Sequence, residues 1–137
     1  LAPWDVRHVV DKVRETGNHR VLVTERGTSF GYNNLVVDFK GFPIMKEFGC
    51  GLVFDGSHSV QLPGGAGDRS GGQSEVIPML AAAAVAVGVD GVFLEVHDQP
   101  ERALSDGPNA LPLDRLEETL RRLTRIGSAA RDGEGSR

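Results

Sequence analysis

Three short apolar runs recur along the chain, and a carboxylate stands at the end of each one. The runs at residues 21–24, 51–54 and 91–94 lead to Glu25, Asp55 and Glu95. None of them alternates with polar residues, which is typical of strands that are covered on both faces, as in parallel sheets. We therefore predict three strands, over residues 21–24, 49–55 and 91–95.

Between the strands the apolar positions take on the period of a helix. Val6, Val9, Val10 and Val13 follow the spacing i, i+3, i+4, i+7, which predicts a helix over residues 3–16. Two further helices are predicted over residues 39–48 and 74–87. The last helix begins at Pro112, carries an apolar stripe and ends at Gly127; the stripe consists of Leu113, Leu116, Leu120 and Leu123.

The predicted order is therefore α-β-α-β-α-β-α, which indicates parallel strands joined by helical crossovers. Two architectures fit: a doubly wound open sheet, or part of a (β/α)8 barrel. A complete barrel has eight strands and typically about 250 residues, whereas this chain of 137 residues supplies three strands. We assign residues 1–127 to one partial (β/α) barrel domain and expect residues 128–137 to be a disordered polar tail.

The composition narrows the classes of function and the cellular location. The formal net charge of −4 argues against a non-specific nucleic-acid binder, and no apolar run approaches the roughly 18 residues that cross a bilayer. No signal peptide is visible, and the single cysteine, Cys50, fits a cytoplasmic protein. Because the chain opens with Leu1 and not Met, we expect that it is processed or cut from something longer.

Candidate metal ligands follow the second and third strands. His58, Glu95 and Asp106 are placed where the carboxyl ends of parallel strands meet, and one imidazole with two carboxylates suits Mn²⁺, Fe²⁺ or Zn²⁺. The alternative is structural: His58 caps a loop, Glu95 pairs with an arginine, and Asp106 makes a turn with Gly107.

Two other loops are candidates for ligand binding. Arg26 follows the first strand and precedes a glycine turn, which suits a phosphate or carboxylate; the alternative is an ion pair with Glu25 or Asp55. The glycine-rich stretch at residues 62–72 lacks the Gly-Lys-Ser/Thr ending of a P-loop. We interpret it as a lid over the strand ends, with a plain flexible connection as the alternative.

Several of these loops closely resemble one enzyme family, 3-deoxy-D-manno-octulosonate 8-phosphate synthase (Kdo8P synthase). The similar segments are RGTSFGYNNLVVD at 26–38, FDGSHSVQ at 54–61, SGG at 70–72 and ALSDGPN at 103–109. The resemblance implies a (β/α)8 barrel, usually a homotetramer, that acts in lipopolysaccharide biosynthesis. The implied reaction condenses phosphoenolpyruvate with arabinose 5-phosphate and water, and releases phosphate.

The resemblance also implies roles for individual residues. Arg26 matches an arginine that binds the phosphate of phosphoenolpyruvate, and Gln61 and Asn109 lie near the pentose phosphate. His58, Glu95 and Asp106 match the metal ligands of the metal-dependent branch, which places His58 and Asp106 at the catalytic centre. The implied metal orients and polarises the sugar aldehyde or activates water, while C3 of phosphoenolpyruvate attacks that aldehyde.

The resemblance covers only the C-terminal half of the family. The early strands of the family carry lysines that bind phosphoenolpyruvate, an Asn-Arg-Ser segment and a metal-binding cysteine, and this chain has none of them. Ser105 before Asp106 favours the metal-dependent branch; in the other branch no cofactor is implied. Two alternatives stay open: a non-catalytic half-barrel or binding module, and a related synthase that uses another sugar.

Overall fold

The computed structural model describes residues 1–64 and 71–134. Its strands are β1 Leu22–Glu25, β2 Thr28–Ser29, β3 Leu35–Val36, β4 Gly51–Asp55, β5 Gln61–Leu62, β6 Gly71–Gly72, β7 Gly91–Phe93, β8 Val96–His97 and β9 Leu111–Pro112. Its helices are α1 Val6–Arg14, α2 Gly41–Lys46, α3 Ile77–Val87 and α4 Leu116–Glu134, with short 3-10 turns between them. The predicted order is confirmed for the four helices and for the three longest strands, β1, β4 and β7.

The central element is a three-stranded parallel sheet in the order β1-β4-β7, as the alternation of helices and strands predicted. The register pairs Thr24 with Val53, and Val53 with Gly91. Because the strands are parallel, their carboxyl ends lie at the same edge of the sheet. Glu25 and Asp55 end β1 and β4, and Glu95 follows β7 by two residues.

One face of this sheet is covered by the helices. Leu52 and Phe54 of β4 are fully buried there, and the Phe54 ring lies 6.3 Å from the rings of both Phe39 and Phe42. The buried cluster consists of Val6, Val10, Phe42, Met45, Cys50, Leu52, Phe54, Ala81, Ala82, Ala84 and Leu123. The small side chains of α3 let it pack closely in this cluster, because alanine keeps the helix axis near its neighbours.

The other face of the sheet is bare. Leu22 at the start of β1 is 70% exposed, and Phe93 at the end of β7 is 44% exposed. Parallel sheets are normally covered on both faces. A second apolar layer is therefore needed to bury this side of the sheet.

Short strand pairs occupy the segments that the sequence predicted as plain loops. β2 pairs with β3, β5 with antiparallel β6, and β8 with parallel β9. Each of these strands has only two residues, which is too short for a hydrophobic pattern that would predict it from the sequence. The β5–β6 pair joins the two ends of the glycine-rich stretch; the lid predicted there falls mainly on residues 65–70, which lie outside the described residues.

The C-terminal helix is longer than predicted. The sequence predicted that this helix ends at Gly127 and that a disordered tail begins at residue 128, but α4 continues to Glu134. Gly127 serves close packing here, since a Cβ on it would lie 3.3 Å from Val85 on α3. The leucine stripe is also only partly buried: Leu123 is in the core, while Leu113 and Leu120 are about half exposed.

Within residues 1–64 and 71–134, no helix combines the length and the apolar character needed to cross a bilayer.

Candidate active site

Three predicted ligand residues come together at the carboxyl edge of the sheet. One ligand atom each from His58, Glu95 and Asp106 lies within 4.8 Å of the others, and His58 Nε2 is 3.4 Å from Glu95 Oε1. All three side chains are half-buried. Among residues 1–64 and 71–134, the contact of Glu95 with a basic side chain is with His58 and not with an arginine.

The orientation of His58 is set by Asp55, a residue that the sequence analysis did not place in the site. His58 Nδ1 is 2.7 Å from Asp55 Oδ2. Since a carboxylate only accepts hydrogen bonds, this contact assigns the proton of the neutral ring to Nδ1. Nε2 then keeps its lone pair and faces Glu95. The ring also stacks on Phe93, with centroids 6.1 Å apart and 22° between the planes.

Ser57 fixes the backbone that carries Glu95. Its hydroxyl oxygen accepts a hydrogen bond of 2.7 Å from the Glu95 N–H, and the Glu95 carbonyl accepts one of 2.9 Å from the N–H of Leu111. Ser57 is fully buried. The segment that follows β4 is thus tied to the segment that follows β7, and β9 supports the other side.

Asp106 stands at the start of a 3-10 turn that fits tightly between two other segments. Its backbone is left-handed, with φ of 54°, a conformation that aspartate tolerates better than most residues. The turn spans Gly107–Asn109. A Cβ on Gly107 would overlap the Pro100 carbonyl oxygen, and one on Gly72 would lie 2.6 Å from the Pro108 carbonyl oxygen. Glycine at both positions lets the turn approach its neighbours and places Asp106.

Asn109, at the end of the same turn, is buried with its amide unsatisfied. It is 1% exposed, and neither its Nδ2 nor its Oδ1 has a hydrogen-bond partner among the described residues. A buried amide without a partner costs free energy. The side chain is therefore available to a ligand or to a group outside the described residues.

Two further predicted site residues, Arg26 after β1 and Gln61 at the start of β5, contact each other. Arg26 Nη2 donates a hydrogen bond of 2.9 Å to Gln61 Oε1, while Glu25 binds the N–H of Gly27 instead. No salt bridge joins Arg26 to a carboxylate in the part of the chain that the structure describes. The ion pair with Glu25 or Asp55 weighed from the sequence is absent there, and the exposed guanidinium contacts Gln61 instead.

A cleft of about 1020 Å³ lies beside Asp106, and Gln61 forms part of its wall. Leu104 and Ser105 on its rim are exposed, so the cleft opens to solvent. The two substrates that the resemblance implies are small phosphorylated molecules, and ligand clefts of this kind measure about 300–1,000 Å³.

A divalent cation fits the three ligand residues. Ligands of one ion at about 2.0–2.2 Å lie within roughly 4.4 Å of each other, close to the 4.8 Å observed. The donors are one imidazole nitrogen and two carboxylate oxygens, a set that suits Mn²⁺, Fe²⁺ or Zn²⁺. Cys50 cannot join them, because it precedes β4 and is buried at the opposite end of the strand.

His97, at the end of β8, contacts its neighbours Asp98 and Gln99 and lies outside the ligand group. Asp55 was considered from the sequence only as the end of a strand and as an ion-pair partner of Arg26. Its spacing of three residues from His58 was the available signal, because an aspartate at a turn often binds backbone N–H groups two and three residues later.

The sequence model of the DAHP synthetase I family matches residues 1–131. Curated relatives include three proteins called 2-dehydro-3-deoxyphosphooctonate aldolase, another name for Kdo8P synthase. The Synechococcus protein is 56% identical over 99% of this chain and 48% of its own length. The values are 57%, 96% and 48% for Xanthomonas campestris, and 60%, 93% and 47% for Nitratidesulfovibrio vulgaris.

The resemblance drawn from the loops is thereby confirmed. The chain spans about half the length of the curated relatives it matches. The family match itself covers nearly the whole chain. The chain therefore belongs to the DAHP synthetase I family.

Proposed function

We propose that this chain is the C-terminal part of a Kdo8P synthase. The proposed reaction joins phosphoenolpyruvate, D-arabinose 5-phosphate and water to give Kdo 8-phosphate and inorganic phosphate. The observation that carries the proposal is the group of His58, Glu95 and Asp106, whose ligand atoms lie within 4.8 Å of one another at the strand ends. The relatives called 2-dehydro-3-deoxyphosphooctonate aldolase, which are 56–60% identical to this chain, support the choice of this enzyme.

The proposal includes the architecture: three consecutive strands of a (β/α)8 barrel. In such a barrel neighbouring strands are also neighbours in sequence, helices cover the outer face, and side chains fill the interior. The order β1-β4-β7 agrees with this arrangement. The bare apolar face with Leu22 and Phe93 would be the barrel interior, covered by strands that this chain lacks.

His58, Glu95 and Asp106 would hold the divalent metal. When bound, a metal at this position would polarise the aldehyde oxygen of the sugar or activate water. His58 would bind it through Nε2, since Nδ1 is occupied by Asp55. In the proposed reaction C3 of phosphoenolpyruvate forms the new bond to the aldehyde carbon, water adds at C2, and the C–O bond to phosphate breaks.

Arg26 would bind the phosphate of phosphoenolpyruvate. Its guanidinium offers two parallel N–H donors to phosphate oxygens, and its contact with Gln61 holds it beside the strand ends. The buried amide of Asn109 and the side chain of Gln61 would bind the sugar phosphate. These contacts orient both substrates, so that C3 and the aldehyde carbon meet beside the metal ligands.

We propose that the active form is a homo-oligomer, a tetramer in the full-length family. The cytoplasmic location stays a prediction. The alternative of a non-catalytic half-barrel is favoured by the missing lysines, and the experiment below separates the two.

The test is phosphate release from phosphoenolpyruvate with Mn²⁺, with and without arabinose 5-phosphate. The chain is assayed alone and mixed with the N-terminal half of the Xanthomonas campestris relative. We expect sugar-dependent release in the mixture, and its loss in Glu95→Gln. Glu118→Gln is the matched control, because Glu118 is exposed on α4 and belongs neither to the ligand group nor to the cleft beside Asp106. No release in the mixture, together with no binding of Mn²⁺, would exclude the proposed function.

A further inference from the structure

Two buried polar residues lie beside the ligand group without being candidate ligands themselves. Each forms a hydrogen bond that holds one of the ligand residues in place. They are Asp55, the last residue of β4, and Ser57, two residues later. We infer that they are positioning residues: Asp55 sets the tautomer of His58, and Ser57 sets the place of Glu95. The inference deepens the proposed function and rests on it for the identity of the ligands.

Both oxygens of the Asp55 carboxylate accept hydrogen bonds within the turn. Oδ2 accepts the Nδ1–H of His58 at 2.7 Å, and Oδ1 accepts the backbone N–H groups of Ser57 at 3.1 Å and of His58 at 2.9 Å. Asp55 is 7% exposed, so water does not compete for it. The carboxylate is held by the turn that it caps, and it can in turn hold the ring.

The consequence for His58 is chemical as well as geometric. A neutral imidazole carries one proton, and the partner of one nitrogen decides which nitrogen carries it. With the proton on Nδ1, the lone pair lies on Nε2, which is 3.4 Å from Glu95. A hydrogen bond from a ligating histidine to a carboxylate also raises the basicity of the ligand nitrogen.

Ser57 acts on the second ligand through the backbone. It is fully buried, and its hydroxyl oxygen is the acceptor for the Glu95 N–H at 2.7 Å. Without that hydroxyl the N–H is left without its acceptor, and the segment after β7 loses its tie to β4. Residues 55–58 therefore hold both ligand residues: Asp55 bonds to the ring of His58, and Ser57 bonds to the backbone of Glu95.

A purely structural role for Asp55 makes a different prediction, and one substitution separates the two. Asparagine keeps a side-chain oxygen for the two backbone N–H groups, so Asp55→Asn retains the cap. Its amide NH₂ then faces His58 Nδ1 and requires a lone pair there. The proton moves to Nε2, the wrong tautomer for a ligand, as asparagine causes beside a catalytic histidine.

The experiment uses the 137-residue chain without metal and ¹⁵N NMR of its four histidines, at alkaline pH, where imidazole is neutral. His58→Gln assigns the His58 signals. We expect a protonated Nδ1 in the wild type and a protonated Nε2 in Asp55→Asn. Mn²⁺ titration followed by electron paramagnetic resonance should show an affinity about 10–100-fold lower in that variant.

Ser57→Ala is compared with Ser59→Ala, a matched control in the same turn. The Ser59 hydroxyl is equally buried but donates to Gly56, not to a ligand residue. We expect weaker Mn²⁺ binding in Ser57→Ala only, with the His58 tautomer unchanged. Equal Mn²⁺ affinities in the two serine variants would overturn the role of Ser57.

The outcomes separate this inference from the proposed function. If Asp55→Asn keeps the wild-type tautomer, Asp55 does not position His58, whatever the metal does. If the wild type shows a protonated Nδ1, Asp55→Asn a protonated Nε2, and neither binds Mn²⁺, the role of Asp55 stands and the metal site of the proposed function fails.

Discussion

The turn that carries Asp106 is the point where a single added methyl group should disturb both stability and metal binding. Gly72 lies against this turn: a Cβ there would overlap Asn109 Oδ1 and lie 2.6 Å from the carbonyl oxygen and 2.8 Å from the carbonyl carbon of Pro108. Real Cβ atoms essentially never come within 3.0 Å of another heavy atom. We predict that Gly72→Ala displaces the turn.

The magnitude follows from which atoms must move. The carbonyl of Pro108 is backbone and cannot rotate away as the end of a side chain would, and Asn109 is 1% exposed, with no solvent to move into. Overpacking of this kind costs about 1–3 kcal/mol. Gly71→Ala is the matched control, because its Cβ would lie 3.6 Å from Leu62, an ordinary contact.

Comparing Gly72→Ala with Gly71→Ala cancels the effect that any glycine-to-alanine substitution has on the free energy of unfolding. Both lose the flexibility of glycine in the unfolded chain, an effect of about 0.4–1 kcal/mol, so only the contact with the turn differs. At a urea m-value of about 1–3 kcal/mol/M, the midpoint of Gly72→Ala should lie roughly 1 M below that of Gly71→Ala. Its Mn²⁺ affinity should also fall, because Asp106 moves with the turn.

Equal urea midpoints for Gly72→Ala and Gly71→Ala would refute this prediction, because they would show that the turn accommodates a methyl group. A lower midpoint with unchanged Mn²⁺ affinity would keep the steric argument, but it would show that Asp106 does not depend on the turn for its position.

Three further predictions concern the core, the Arg26 loop and the bare face. Phe54→Ala should lower the free energy of unfolding by about 3–5 kcal/mol, because Phe54 is fully buried; a loss below 1 kcal/mol in urea unfolding would contradict this packing. Gly27→Ala should destabilise more than Gly31→Ala: both have positive φ, but only the first meets the Val36 carbonyl, at 3.0 Å, and equal melting temperatures would count against it. The wild type should self-associate in sedimentation velocity, and Leu22→Lys should weaken this association by charging the exposed edge strand; a monomeric wild type would exclude the idea.

The sequence predicted the parallel sheet and the proximity of His58, Glu95 and Asp106 because both depend on strand ends. An apolar run that stops at a carboxylate marks the end of a strand, and parallel strands bring such ends to one edge. His58 and Glu95 follow neighbouring strands, so their meeting needed only the strand order. Asp106 lies in the long loop after the third strand, and its position in that loop was enough to propose it as a third ligand.

The parts that were not predicted depend on contacts between distant segments. Ser57 accepts from Glu95, which is 38 residues away, and no local pattern encodes that pairing. The tight approach of Gly72 to Pro108 is likewise invisible in a glycine-rich stretch, where every glycine looks alike. The helix beyond Gly127 was missed because glycine is read as a helix stop, while here it allows α3 and α4 to pack closely.

The proposed metal site and the proposed substrate site should differ in how much they need from the other half of the barrel. The contacts that place the three ligand residues are internal to this chain: Asp55 for His58, Ser57 for Glu95, and the turn against Gly72 for Asp106. In the proposed function, substrate binding would depend instead on Arg26 and on the bare face of the sheet, which the other strands of a barrel would cover. Mn²⁺ binding by the isolated chain should therefore survive where turnover does not, and addition of the missing half should restore turnover with a much smaller effect on Mn²⁺ affinity.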